Sequence, residues 1–172
     1  VTGVVVGSAV GGFDTMLRQA ELLRERGQRA LSPFCIPMII TNGATAAVSI
    51  HVGAHGPSFS PVSACATGND SIGQAAELIR RGAATIMLAG GADAPVSSFG
   101  IASFDQLGAV SHIGRPRPFD KARDGVVIGE GACVLVLEDL EFALARGARI
   151  LAELVGYGQT THGSTPIAPV PP

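Results

Sequence analysis

A change of hydrophobic period within one stretch, VSACATGNDSIGQAAELI at residues 62–79, constrains this chain more than any other feature. The short apolar run that starts at Phe59 reads as a strand over 59–64. From Ala66 onward, Ile72, Ala75, Ala76 and Ile79 recur at helical spacing with Leu78 beside them. Gly82 ends the pattern, so the spacing predicts a helix over 66–81. Small and polar residues from Thr67 to Ser71 fill its first turns. Cys65 then falls where strand becomes helix, close to unpaired N–H groups whose dipoles favour an anion, so its thiol is expected to ionise more readily than a free one. The thiolate is the form that attacks acyl carbonyls. Taken alone, these letters leave two readings of Cys65 open, a nucleophile or a small buried hydrophobe.

The flanking sequence supplies an α/β context. Residues 1–6 form an apolar run that predicts a strand, followed by the glycine-rich turn Gly7 to Gly12. Its G-x-x-x-G-G spacing fits neither the dinucleotide nor the P-loop pattern, and phosphate binding is rejected. Asp14 is the expected N-cap of a helix with Met16, Leu17, Ala20 and Leu23 on its apolar face, ending at Gly27. A second helix is expected over 41–52, capped by Asn42. His51 and His55 share a helical spacing, but Gly53, Gly56 and Pro57 break the helix there, and no metal site is expected. Residues 85–89 predict a buried strand closed by Gly90, Gly91 and Asp93, which gives a right-handed strand–helix–strand crossover around the 66–81 helix.

Farther on, 97–111 reads as mixed. Asp120, Asp124 and Glu130 are interleaved with Lys121 and Arg123, which favours a salt-bridged structural turn over paired acid–base carboxylates. A strand with a bend at Gly129 to Gly131 is expected over 126–137, with Cys133 buried and inert. A short helix over 138–146 and a strand over 150–155 follow. The proline-rich tail from about 164 to 172 has little potential for either.

Composition enters as a bound. The chain has 172 residues, 47% hydrophobic and 15% charged, which is enough for one modest domain with its own core. A net charge of -2 gives no reason to expect nucleic acid, and no apolar run is long enough to span a bilayer. Cys35, Cys65 and Cys133 make an odd count without metal-ligand spacing, as expected of reduced cytoplasmic thiols.

Three segments in one order, SACATGNDSIGQAAELIRRG, MLAGGAD and RPFDKARDGVVIGEGACVLVLE, resemble the β-ketoacyl-acyl-carrier-protein synthases. These are condensing enzymes of the thiolase superfamily, and the similarity is greatest to the long-chain, type II synthase. The resemblance implies the N-terminal half of a thiolase-like α/β fold, a mixed sheet with helices on its faces, that forms a homodimer. It implies that residues 1–172 are an internal fragment, a partial synthase N-terminal domain. It places the family's acyl-accepting nucleophile on Cys65, whose backbone N–H is also an oxyanion donor.

The same resemblance puts Val10, Cys35, Ile36 and Phe104 around the acyl pocket, with Cys35 and Ile36 reaching into the partner subunit's pocket. Arg29 becomes a docking residue for the acidic acyl carrier protein. No cofactor is implied beyond the phosphopantetheine that carries the substrates. The implied reaction is acyl transfer to Cys65, then decarboxylative condensation with malonyl-carrier protein. The histidine pair for the second stage falls in the half of the family that follows residue 172, so the isolated fragment is expected not to condense. HGST at 162–165 is only superficially like a catalytic histidine motif, and its order matches a noncatalytic loop better. Rival readings are a polyketide ketosynthase, a noncatalytic chain-length-factor-like partner, and an unrelated cysteine hydrolase with His162 as base.

Overall fold

Residues 2–7 alternate across two covered faces, and that decides where the sheet begins. The computed structural model describes residues 1–161 and 163. Strand β1 (Thr2–Gly7) buries Val4, Val5 and Val6 almost completely. It pairs in parallel with β2 (Ile86–Asp93), which in turn pairs antiparallel with β3 (Gly131–Glu138), giving a three-stranded mixed sheet of order β1-β2-β3. β2 runs through Gly90 and Gly91 instead of closing before them, because β1 and β3 supply ladder partners on both sides to Asp93 or Gly91.

Helices cover both faces near β1. Helix α1 (Phe13–Arg26) leads to α2 (Cys35–Ile39) and α3 (Gly43–Val52), and α3 packs on β1. Buried Thr45 of α3 accepts from Val6 N–H at 2.9 Å and donates to Val6 O at 2.7 Å, which satisfies a hydroxyl that would otherwise be costly to bury. Helix α4 (Thr67–Arg80) lies on the other face. Its Ala75 and Leu78 join Val5, Ala84, Met87 and Ala89 in the core, flanked by Ile72 and Ile79. Each large side chain buried there contributes roughly 1.5–3 kcal/mol. Helices α5 (Ser98–Gln106) and α6 (Leu140–Ala145) complete the set, capped by the side chains of Ser97 and Asp139.

Several expectations are corrected. The helix starting at Phe13 has Gly12, not Asp14, at its N-cap, and Asp14 lies in its first turn. Its apolar stripe is not core: α1 has no buried residue, and Met16 and Leu23 are half-exposed. The approach to Cys65 is not a strand. Val4 N–H donates to Pro57 O and Phe59 N–H to Val4 O, and the pairing stops at that single bridge around Ser58. Pro57 and Pro61 have no N–H with which to extend a ladder. The crossover around α4 therefore joins β1 to β2.

No ion pair forms within 115–125 among the described residues. Asp124 instead accepts from Ser111 Oγ at 2.7 Å and Ile113 N–H at 3.1 Å, and Asp120 accepts from Ala122 N–H at 2.8 Å. Cys133 is exposed, because the Val134 to Val136 stretch of β3 is itself uncovered. Residues 126–130 precede β3 without joining it, and 150–155 form no strand because no neighbouring strand pairs with them. The expectations at His162 and in the 164–172 tail lie outside the described residues.

Candidate active site

Cys65 sits on a short 3-10 turn, Ala64–Ala66, immediately ahead of α4, and is exposed. The turn is sharp. Ala64 has φ of 52°, a left-handed conformation that non-glycine residues seldom adopt. Its geometry is pinned by Thr67, the first residue of α4: Ser63 N–H donates to Thr67 Oγ1 at 2.9 Å, and Thr67 Oγ1 donates to Ala64 O at 2.7 Å. No acceptor among the described residues takes the Cys65 N–H. The turn thus projects a thiol and a free backbone donor together.

The helix reaches this position because the sheet ends beneath it are glycine. A Cβ on Gly7 would meet Thr67 Cγ2, Ser71 Oγ at 2.8 Å and Pro61 O at 3.0 Å, and one on Gly91 would lie 3.3 Å from Gly68 Cα. The start of α4 is therefore seated directly on the carboxyl ends of β1 and β2, where ligand crevices form in α/β sheets. Asp93, the last residue of β2, accepts from Ser8 Oγ at 2.7 Å and from Ala9 N–H at 3.1 Å, and so fixes the turn after β1 that carries Val10.

The other expected site residues divide into two groups. Val10, half-exposed, is brought toward α2, since Gly12 N–H donates to Ile39 O at 3.2 Å. Cys35 and Ile36 occupy α2, and Ile36 is 63% exposed, so that helix presents an open apolar edge. Arg29 is exposed on a 3-10 turn between α1 and α2. Phe104 lies on α5, at the edge of exposure, and Phe99 of the same helix packs its ring 5.9 Å from Phe13 of α1. The layers α1, α2 and α3 gather Val10, Arg29, Cys35 and Ile36, whereas Cys65 belongs to α4 and the sheet.

Sequence reasoning missed the group just behind Cys65. Asp70, 4% exposed, accepts from Tyr157 Oη at 2.8 Å and Gln159 Nε2 at 2.9 Å. The Ser63 hydroxyl beside it, the Tyr157 phenol and the Gln159 amide hold its carboxyl below the usual carboxylate range, against the opposing effect of burial. Ser63 acts by proximity, because its buried Oγ has no partner of hydrogen-bonding geometry. The same bond to Asp70 pushes the Tyr157 phenol up. The one signal in the letters was a carboxylate among the small and polar residues in the first turns of a core helix.

These elements define the class. The chain belongs to the β-ketoacyl synthase family: residues 1–143 match its N-terminal domain. The fold is the N-terminal part of the thiolase-like ketosynthase fold, similar to the ishigamide ketosynthase/chain length factor (TM-score 0.82, 38% identity, covering 91% of this chain and 39% of that one) and to a β-ketoacyl synthase of Burkholderia phymatum STM815 (0.75, 38%, 86% and 37%). It is also similar to the ketosynthase complex AntDE:AntF, a type II polyketide acyl-carrier protein with its ketosynthase (0.72, 34%, 86% and 39%). Among curated proteins it is 46% identical to 3-oxoacyl-[acyl-carrier-protein] synthase 2 of Staphylococcus aureus and 42% identical to that of Synechocystis sp., in each case over 98% of this chain. It spans 43% and 42% of those relatives' lengths, less than half.

Proposed function

We propose that this chain carries the acyl-accepting half of a condensing enzyme for fatty-acid elongation, with Cys65 as nucleophile. The observation that carries the reading is the exposed Cys65 thiol on a strained turn at the head of α4, beside its own free N–H. In the first stage the Cys65 sulfur attacks the carbonyl of a carrier-bound acyl thioester. The carbonyl oxygen becomes an oxyanion that the Cys65 N–H stabilises, the carrier's C–S bond breaks, and the carrier thiol leaves with a proton. In the second, a malonyl-carrier thioester loses carbon dioxide, its carbanion forms a C–C bond to the acyl carbon, and Cys65 sulfur departs.

The acyl carrier protein is the partner of this reading, approached through Arg29. Val10, Cys35, Ile36 and Phe104 line the acyl path in a cytoplasmic homodimer. The exposed edge of α2 supports a role for Cys35 and Ile36 at a subunit contact. The reaction calls for no cofactor other than the carrier's phosphopantetheine. No helix among the described residues is long and apolar enough to cross a membrane.

Mass spectrometry after incubation with an acyl-carrier thioester tests the reading. One acyl mass should appear on the wild type and none on Cys65→Ala. An acyl mass that persists in the variant would remove Cys65 as nucleophile. The polyketide reading is favoured by the ketosynthase neighbours, and comparing the acylation of Cys65 from fatty and from polyketide acyl-carrier thioesters separates it from fatty-acid elongation.

A further inference from the structure

The one buried charged side chain among the described residues is a carboxylate that acyl transfer does not use. Asp70 is buried in the second turn's reach of α4, and none of the ion pairs among the described residues includes it. A buried carboxylate is tolerated only when hydrogen bonds replace its water, and here both oxygens are occupied from residues 87 and 89 positions away. Those partners lie on a segment without helix or strand. It is tied to α4 at two further points: the Tyr157 ring covers Gly73, and Arg80 Nη2 donates to Leu154 O at 2.9 Å.

The segment is one side of a cavity of about 450 Å³, with residues 157–161 facing Ser63, Ala66, Asn69 and Asp70. Ser63 and Ala66 bracket Cys65 on its turn. Asp70 therefore ties together the two sides of a cavity whose lining includes Ser63 and Ala66, the residues two before and one after Cys65, but not Cys65 itself.

We infer that Asp70 is a positioning residue whose carboxylate latches the 154–161 segment onto α4 and so sets the wall against which an acyl thioester is aligned toward Cys65. The inference rests on the acyl-transfer reading. A ring packed on Gly73 holds the segment close, but an apolar contact has no preferred direction. Two acceptors in one carboxylate plane fix the directions of Tyr157 and Gln159 as well.

Asp70→Asn removes the charge and leaves one acceptor oxygen where the Tyr157 hydroxyl and the Gln159 amide each had their own. The double variant Asp70→Asn with Gln159→Glu restores donor to acceptor with the charge moved across the bond. Hydrogen exchange of 154–161, single-turnover acylation of Cys65 by octanoyl-pantetheine, and alkylation of Cys65 by iodoacetamide are measured in wild type, both variants and Tyr157→Phe. Asp70→Asn and Tyr157→Phe should speed exchange about tenfold and raise the half-saturating thioester concentration about tenfold. The saturating acylation rate and the alkylation rate should each move less than about threefold, and the double variant should recover most of both losses.

Where Asp70→Asn does not fold, Tyr157→Phe and Gln159→Ala, at a half-buried and an exposed residue, carry the same expectation. Unchanged exchange, faster exchange with unchanged half-saturation, or no recovery in the double variant overturns the latch while leaving acyl transfer standing. A wild type that is alkylated at Cys65 but never acylated there overturns the acyl-transfer reading, and the inference with it.

Discussion

Ala64 has a Cβ where glycine would be at ease, and the residue after it is the candidate nucleophile. Holding a non-glycine residue in the left-handed region costs about 1–2 kcal/mol. Ala64→Gly removes that strain and also loosens the unfolded chain, so the two effects partly cancel. Its stability in urea should change by less than about 1 kcal/mol, whereas Ala64→Val, with its β-branch, should destabilise by about 2 kcal/mol or more. Acylation of Cys65 should slow in Ala64→Gly although the fold is kept, because the turn no longer holds the thiol in one place.

Asp70 gives the pH dependence at this scale. Its carboxyl is held below the ordinary range in the folded chain, so the unfolded state binds more protons as the solution is acidified. The stability it contributes is fully present above the ordinary carboxylate range and is lost as pH falls through the lowered folded value. The stability difference between wild type and Asp70→Asn, followed by urea titration, should be constant near neutrality and shrink in acid.

Among the elements, α4 shows how a weak local choice serves packing. Gly73 in mid-helix costs about 1 kcal/mol relative to alanine. It is retained because an added Cβ would run into the Tyr157 ring. Gly73→Ala should therefore destabilise the chain in spite of the better helix former, and in a Tyr157→Ala background the same change should stabilise it. Urea unfolding of the four chains decides the sign. A gain from Gly73→Ala in both backgrounds would mean that the ring does not pack there. α1 is the opposite case. Its stripe of Met16, Leu17, Ala20 and Leu23 has helical spacing and an amphipathic pattern, yet none of the four is buried, although α2 packs beside the helix and Leu17 is partly covered.

For the molecule as a whole, surface area carries the argument. Among the described residues Ile36, Ile50, Val136 and Leu151, on α2, α3, β3 and the segment after α6, are all largely exposed, more apolar surface than scattered single residues account for. The chain should therefore self-associate at micromolar concentration and bind a hydrophobic dye, both checked by sedimentation and fluorescence. A dye-silent monomer would show that these faces fold over in solution.

The letters by themselves determined what is local. The valines of β1, the 3.6-residue stripe that made α4, the glycines that end α1, α3 and α4, and the placement of Cys65 ahead of a helix all follow from period and backbone freedom, which neighbours in sequence decide. Only the tertiary structure decided the rest. Residues 59–64 and 150–155 have strand-like letters, but a strand exists only where another backbone completes its hydrogen bonds, and Pro61 and an absent neighbour withhold them. Cys133 looked buried because its flanks are apolar, yet burial needs something on top. Asp70 reads in the letters only as one of the small and polar residues of the first turns, because its partners, Tyr157 and Gln159, are brought to it only when the chain returns across α4, and nothing in the spacing of its own turn could announce them.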